Sequence, residues 1–174
     1  ENYMAAIAAV DGIVPDRCVR AVAQRFAGVE HRIELVRELD GVKYYNDSIA
    51  SSPTRTAAGL RALKKPPIVI VGGYDKKIPF DGLGDDLCLY AKAVVLTGAT
   101  SRKIRDAIEG SRYYTASGLR LALRDDFRDA VEYASEMAEE GDIVLLSPAC
   151  ASFDCFRNFA ERGQVFKNIV MELK

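Results

Sequence analysis

The sequence contains a single histidine, His31, and no tryptophan among its 174 residues. Its four cysteines, Cys18, Cys88, Cys150 and Cys155, occur at irregular spacings without a C-x-x-C pair. These residues are too few and too scattered for a structural zinc site, so no metal ligand is assigned in this chain. They predict buried, reduced thiols rather than disulfides, which indicates a reducing compartment, the cytoplasm.

Strong net charge and long apolar segments are absent as well. The 24 basic and 25 acidic residues give a formal net charge of -1, without the basic excess of a nucleic-acid-binding protein or a polybasic membrane anchor. No apolar run approaches the roughly 20 residues that a membrane-spanning helix needs. We therefore expect neither a nucleic acid nor a membrane as a partner. A hydrophobic share of 49% is typical of a globular domain with one good core.

Two familiar catalytic patterns are also missing. The phosphate-binding pattern G-x-x-x-x-G-K-[ST] does not occur in the chain, so other residues would have to hold the phosphates of any ATP. The only histidine lies far along the chain from the serines and cysteines near residue 150, and nothing local would activate them as nucleophiles. Nucleophilic catalysis by these serines and cysteines is therefore not expected.

The amino-terminal part reads as a helical lead-in. The chain begins without Met in an Ala-rich helical pattern, ENYMAAIAAV, which we interpret as the cut end of a longer protein. A second helix is predicted at about 16–27, with Pro15 and Asp16 at its start and Gly28 after its end. The segment HRIELVRELDGVKYYND then predicts a β-hairpin around Asp40 and Gly41, a pair that suits a type I′ turn.

The remainder alternates strands with helices. PPIVIVGG, AVVLTG and GDIVLLSPA are continuous apolar runs of the kind found in parallel sheets covered on both faces. Helices are predicted near 53–63, 82–92, 101–109 and 126–139. The stretch 113–124 is compatible with a short strand, an irregular loop or a helix start. The predicted fold is an open, mostly parallel, Rossmann-like α/β sheet with helices on both faces, an amino-terminal β-hairpin and a short helical lead-in.

Polar residues follow the predicted strands, where ligands bind in such sheets. Lys76 in GGYDKK can face a carboxylate or phosphate, or serve as a solvated turn lysine. Asp47 in NDSIASS can accept hydrogen bonds from ribose hydroxyls, or act as a turn and capping residue. Residues 147–152, SPACAS, can bind a carboxylate at a helix amino end, with Phe156 and Phe159 one turn apart behind them, unless those phenylalanines belong to the core.

Three segments together resemble the carboxy-terminal part of the Mur ligases: HRIELVRELDGVKYYNDS, VIVGGYDK and LLSPACASFDCFRNFAERGQVFK. The last is similar in particular to the branch of the family that adds D-glutamate. The resemblance implies that residues 1–28 are the end of a central ATP-binding domain and that residues 29–174 are the carboxy-terminal domain.

The resemblance also implies an activity. Such ligases use ATP and Mg²⁺ to phosphorylate the carboxylate of UDP-N-acetylmuramoyl-L-alanine, and the amine of D-glutamate attacks the acyl phosphate in cytoplasmic peptidoglycan precursor synthesis. The P-loop and the magnesium ligands are expected upstream of this chain, which should therefore be inactive alone. A monomer is expected.

Seven site residues follow from the resemblance. Lys76, Ser51, Ser152 and Phe159 match positions that bind D-glutamate. On the ATP side, the matches are Asn2 near adenine, Arg32 at the phosphates and Asp47 at the ribose.

One position departs from the family pattern. Ile49 stands where the family has a lysine near the phosphates, and we expect Arg32, or Arg55 in the next helix, to compensate.

Two other interpretations stay open. The chain can be the same domain of a sibling Mur ligase, or of a folylpolyglutamate synthetase, adding another amino acid; the block SPACASFD disfavours this. It can also be a free-standing α/β binding module, which the helical pattern at residue 1 disfavours.

Overall fold

Two helices precede a six-stranded sheet in the computed structural model of the chain, which describes residues 2–26 and 28–174. The helices are α1 (Asn2–Val10) and α2 (Asp16–Arg25), as the sequence pattern predicted. Within the described ranges, no helix combines the length and the apolar character that a membrane crossing requires.

The sheet begins with an antiparallel hairpin of β1 (Glu34–Leu39) and β2 (Val42–Asn46). Asp40 and Gly41 form its two-residue loop with φ angles of 49° and 76°. Positive φ at both central positions is the requirement of a type I′ turn, so the predicted hairpin is confirmed.

The other strands are β3 (Ile68–Val71), β4 (Ala93–Leu96), β5 (Arg120–Leu123) and β6 (Ile143–Leu146). The strand order is β1-β2-β6-β3-β4-β5, and every pair except β1·β2 is parallel. This confirms the predicted fold class. The connecting helices are α3 (Pro53–Ala62), α4 (Asp81–Tyr90), α5 (Ser101–Glu109), α6 (Tyr114–Ser117), α7 (Phe127–Glu136) and α8 (Phe159–Glu172). The ambiguous stretch 113–124 thus contains both a short helix and a short strand.

Helices cover both faces of the sheet because the central strands are apolar on both sides. In β3, Val69 and Val71 join a core shared with α3, α4 and α5, while Ile68 and Ile70 join a second core with α7 and α8. All four side chains are fully buried, as alternation across a doubly covered strand requires. Because β2, β6, β3 and β4 are parallel, their carboxyl ends lie along one edge of the sheet.

Candidate functional site

The loops that follow β3 and β6 are hydrogen-bonded to each other at this edge. The N–H of Gly72 donates to the carbonyl of Pro148 at 2.9 Å, and the N–H of Tyr74 donates to the carbonyl of Ala151 at 2.9 Å. The rings of Tyr74 and Phe153 meet edge to face, 6.0 Å between centroids, and both side chains are exposed. The two loops form one continuous wall.

Lys76 and Ser51 lie together at the mouth of the site. The Lys76 ammonium donates to the backbone carbonyl of Ser51 at 2.8 Å and lies 3.4 Å from the Ser51 hydroxyl. Among the ion pairs formed by the described residues, none includes Lys76. Its charge is thus not neutralised by a carboxylate and faces outward beside a hydroxyl, which suits an anionic ligand.

Ser152 closes the loop after β6 and is only 2% exposed. Its carbonyl accepts the N–H of Phe156 at 2.8 Å, whereas no hydrogen bond of the described residues uses its hydroxyl. The structure has no fully buried side-chain oxygen that lacks a partner within its described part, so this hydroxyl retains a solvent-facing edge. Ser152 is thus nearly buried, and its hydroxyl makes no hydrogen bond within the described residues.

Phe159 lies at the first position of α8 and is 39% exposed, so it is not a core residue. Its ring packs edge-on against His31, 6.0 Å between centroids, and its carbonyl accepts the Ser48 hydroxyl at 2.7 Å. The expectation that Phe156 and Phe159 lie one helical turn apart directly behind the loop is wrong, because α8 begins only at Phe159. Asn158 caps that helix by accepting the N–H of Glu161 at 2.9 Å.

Asp47, which the resemblance predicts to contact the ribose of ATP, is buried with only 4% exposure. Its carboxylate accepts the N–H of Ile33 at 3.3 Å and lies 2.9 Å from the Ser147 hydroxyl. Burial raises the pKa of Asp47 to about 6, against the opposing effects of these two bonds and of the Arg32 and Arg55 guanidinium groups. Two exposed arginines thus flank the carboxylate, an arrangement that suits nucleotide phosphates.

Asn2 and Ile49 are two further positions that the sequence singled out. The side chain of Asn2 lies outside the described residues, so its match to the adenine contact stays a prediction. Ile49 is half-buried, and its N–H donates to the carbonyl of His31 at 3.2 Å. Ile49 therefore helps to hold the segment that carries Arg32 against the loop after β2.

Cys150 is a packing residue rather than a nucleophile. It is 2% exposed, and its sulfur lies 3.1 Å from the Thr100 hydroxyl. Burial raises the pKa of its thiol to about 11, so the thiol stays protonated at neutral pH.

Comparison with known proteins identifies the family. The family model described as "Mur ligase, glutamate ligase domain" matches residues 31–150. The chain belongs to this Mur ligase family. The resemblance inferred from the sequence is therefore confirmed.

Two relatives at about half sequence identity carry the same name. The UDP-N-acetylmuramoylalanine--D-glutamate ligase of Clostridium novyi (strain NT) is 52% identical over 173 residues, which cover 99% of this chain and 38% of that protein. The enzyme of the same name from Acetivibrio thermocellus is 50% identical over 176 residues, which cover all of this chain and 38% of that protein. The chain thus spans little more than a third of the length of these relatives.

Solved structures with low sequence identity share the fold. The UDP-N-acetylmuramate-alanine ligase MurC of Thermotoga maritima has a TM-score of 0.70 at 16% identity, covering 99% of this chain and 37% of that one. The bifunctional folylpolyglutamate synthase/dihydrofolate synthase of Yersinia pestis has a TM-score of 0.63 at 15% identity, covering 90% and 35%. At these identities the likeness concerns the fold alone.

Arg162 of this Mur ligase domain, which was not predicted as a site residue, lies beneath the site with only 2% exposure. Its guanidinium donates to the Ser48 hydroxyl and carbonyl at 3.0 and 2.9 Å, to the Ala151 carbonyl at 3.1 Å and to the Cys150 carbonyl at 3.1 Å. The only signal in the sequence was the position of Arg162 inside the segment that carries the family resemblance.

An acidic cluster beside the site already contains a cation. Ligand atoms of Glu30, His31 and Glu34 lie within 4.8 Å of one another, a spacing that a metal ion can bridge. The Lys167 ammonium donates to the Glu30 and Glu34 carboxylates at 3.0 and 2.8 Å. Because this ammonium balances the carboxylates, the cluster gives no reason to assign a metal.

Proposed function

We propose that this chain is the D-glutamate-binding carboxy-terminal part of an ATP-dependent amide ligase. The complete enzyme joins D-glutamate to UDP-N-acetylmuramoyl-L-alanine in the cytoplasmic synthesis of peptidoglycan precursors. The observation that carries the proposal is the Lys76 ammonium, which has no carboxylate partner among the described residues and lies beside the Ser51 hydroxyl, on the same sheet edge as the Ser152 hydroxyl. The names of relatives at about half identity point to the same amino acid.

The proposed role of the pocket is to bind and orient D-glutamate. Lys76, Ser51 and Ser152 donate hydrogen bonds to its carboxylates, and the exposed ring of Phe159 packs beside its carbon chain. In the complete ligase, the γ-phosphoryl group of ATP passes to the acceptor carboxylate and ADP leaves. The amine of D-glutamate then attacks the acyl carbonyl, phosphate departs and the amine loses a proton as the amide forms. Orientation of the amine is the contribution of this chain.

The ATP side of the proposal uses Arg32, Asp47 and Asn2. Two exposed guanidinium groups beside Asp47, those of Arg32 and Arg55, fit the charge of nucleotide phosphates, and the carboxylate fits a ribose hydroxyl. Mg²⁺ would supply further charge neutralisation through ligands upstream of this chain. We also propose that residues 1–28 belong to the preceding ATP-binding domain, that residues 29–174 form the carboxy-terminal domain, and that the enzyme is a monomer.

The test compares two neighbouring lysines in the complete ligase. Lys76→Met should raise the KM for D-glutamate by roughly 10- to 100-fold, because a hydrogen bond to a charged group contributes about 1.5–3 kcal/mol. Lys77→Met is the matched control, since the Lys77 side chain is 82% exposed and pairs with Asp75 at 3.4 Å. Its KM for D-glutamate should stay within about twofold of wild type, because exposed ion pairs contribute little. Equal effects of the two substitutions would refute the assignment of Lys76.

A further inference from the structure

Arg162 carries a charge in the interior, and no carboxylate of residues 2–26 and 28–174 forms an ion pair with it, although the charge of Asp154 acts on it from a greater distance. The side chain is among the largest that the structure buries completely, and none of the ion pairs of the described residues includes it. Burial lowers its pKa to about 10, which still leaves the guanidinium protonated at neutral pH. Burying an un-neutralised charge is costly even when it is hydrogen-bonded. An ordinary packing role would be met at lower cost by an apolar residue.

The guanidinium lies where three strand-end loops meet. It donates to Ser48 in the loop after β2, and to Cys150 and Ala151 in the loop after β6. Its Nη1 lies 3.2 Å from the position that a Cβ would occupy on Gly73, in the loop after β3. These are the loops that present Ser51, Ser152 and Lys76. The Ser48 hydroxyl, in turn, donates to the carbonyl of Phe159, the fourth residue of the proposed pocket.

The charge also acts on the peptide group that leads into Ser152. In a trans peptide the N–H points opposite to the C=O, so a guanidinium bound to the Ala151 carbonyl lies opposite the Ser152 N–H. Among the hydrogen bonds of residues 2–26 and 28–174, none uses that N–H as a donor. Polarisation by the bound cation strengthens such an N–H as a donor. Positive potential therefore reaches the side of the loop on which Ser152 offers its donors.

We propose that Arg162 is a positioning residue of the amino-acid pocket that also sets its preference for an acidic side chain. It acts through the carbonyls of Cys150 and Ala151 and through Ser48, rather than by contact with the amino acid. The proposal rests on the function proposed above. A neutral residue at this position would remove the donors that Arg162 supplies to the Ser48 and Cys150 carbonyls and would leave the Ala151 carbonyl with the N–H of Tyr74 alone. It would also remove the positive potential behind Ser152.

The experiment uses the complete ligase with Arg162→Lys and Arg162→Met. The KM for D-glutamate is measured together with the inhibition constant of D-glutamine, a neutral analogue of the same shape, and with the KM for ATP. Arg162→Lys should raise the KM for D-glutamate about tenfold, and Arg162→Met about 100-fold, because several charge-assisted hydrogen bonds are lost. Arg128→Met is the control, since Arg128 is an exposed residue of α7 that pairs with Glu132 and Glu172.

The preference for D-glutamate over D-glutamine distinguishes the proposed role of Arg162 from a purely structural one. The proposal expects the preference for D-glutamate over D-glutamine to fall about tenfold or more in Arg162→Met, and less in Arg162→Lys, which keeps the charge. Equal weakening of both ligands would overturn it. If Arg162→Met fails to fold, Arg162→Lys decides: an unchanged KM for D-glutamate overturns the proposal, and a raised one with unchanged KM for ATP supports it. Failure of the wild-type enzyme to use D-glutamate would refute the proposed function before any variant is compared.

Discussion

Replacing Asp47 with asparagine should remove a pH-dependent loss of stability. Burial raises the pKa of Asp47 from 3.8 to about 6 in the folded chain. Between these pH values the unfolded chain has already released the proton while the folded chain still holds it, so the free energy of unfolding falls as pH rises. A shift of about 2 units at about 1.4 kcal/mol per unit amounts to roughly 3 kcal/mol. This much of the free energy of unfolding is lost as the pH rises from about 4 to above about 6.

The assay is urea unfolding of the 174-residue chain, followed by circular dichroism at pH values from about 3.5 to 7.5. In Asp47→Asn, the side-chain amide would keep an acceptor for the Ile33 N–H and cannot ionise. Relative to wild type, the unfolding free energy of Asp47→Asn should therefore gain about 3 kcal/mol between pH of about 4 and 7. Parallel curves for the two proteins would refute the reasoning.

Asp75→Asn serves as a control, because the pKa of Asp75 is shifted in the opposite direction to that of Asp47. A hydrogen bond from Lys103 lowers the pKa of Asp75 to about 2. A carboxyl group with a lowered pKa contributes stability above its unfolded pKa and loses it as pH falls toward the folded value. Between pH of about 5 and 7, Asp75→Asn should thus differ from wild type by a constant amount.

Three further substitutions test the fold and the proposed ATP site. Gly72→Ala should destabilise the chain by more than about 3 kcal/mol in the same urea assay, because φ is +123° and a Cβ would overlap the Thr97 carbonyl oxygen. Gly118→Ala, at φ +61° with nothing within 4 Å, should cost only about 1 kcal/mol; similar losses for both would contradict the steric explanation. Arg55→Ala in the complete ligase should raise the KM for ATP about tenfold, since this guanidinium lies near Asp47, and an unchanged KM would exclude Arg55 as the residue that compensates for Ile49.

The sequence predicted the sheet because its signals are local. Asp40 and Gly41 specify a two-residue turn, and fully apolar runs specify strands buried on both faces. The sequence did not distinguish a short strand from a loop or a helix start at 113–124, because β5 has only four residues, lies at the end of the strand order and has none of them buried. Its pairing with β4 supplies the stability that its own pattern does not indicate.

The positions of the loops in the fold were sufficient to predict that Lys76 and Ser51 lie close together. Lys76 and Ser51 follow different strands, and the parallel arrangement of those strands brings them to one edge. Arg162 was missed because its partner Ser48 lies 114 residues away along the chain and because arginine is rarely buried completely. The expected helical spacing of Phe156 and Phe159 was wrong because α8 begins only at Phe159. The segment before it is held in part by the Asp154 carboxylate, which accepts the N–H of Ala99 at 3.2 Å.

The most direct test of the central claim is phosphate release from ATP by the complete ligase in the presence of UDP-N-acetylmuramoyl-L-alanine. D-glutamate, L-glutamate and meso-diaminopimelate are compared as the amino acid, with Lys76→Met measured alongside. The account predicts turnover with D-glutamate only, at a KM that Lys76→Met raises steeply. Turnover with one of the other amino acids in place of D-glutamate would contradict the proposed pocket, although the Mur ligase fold would stand.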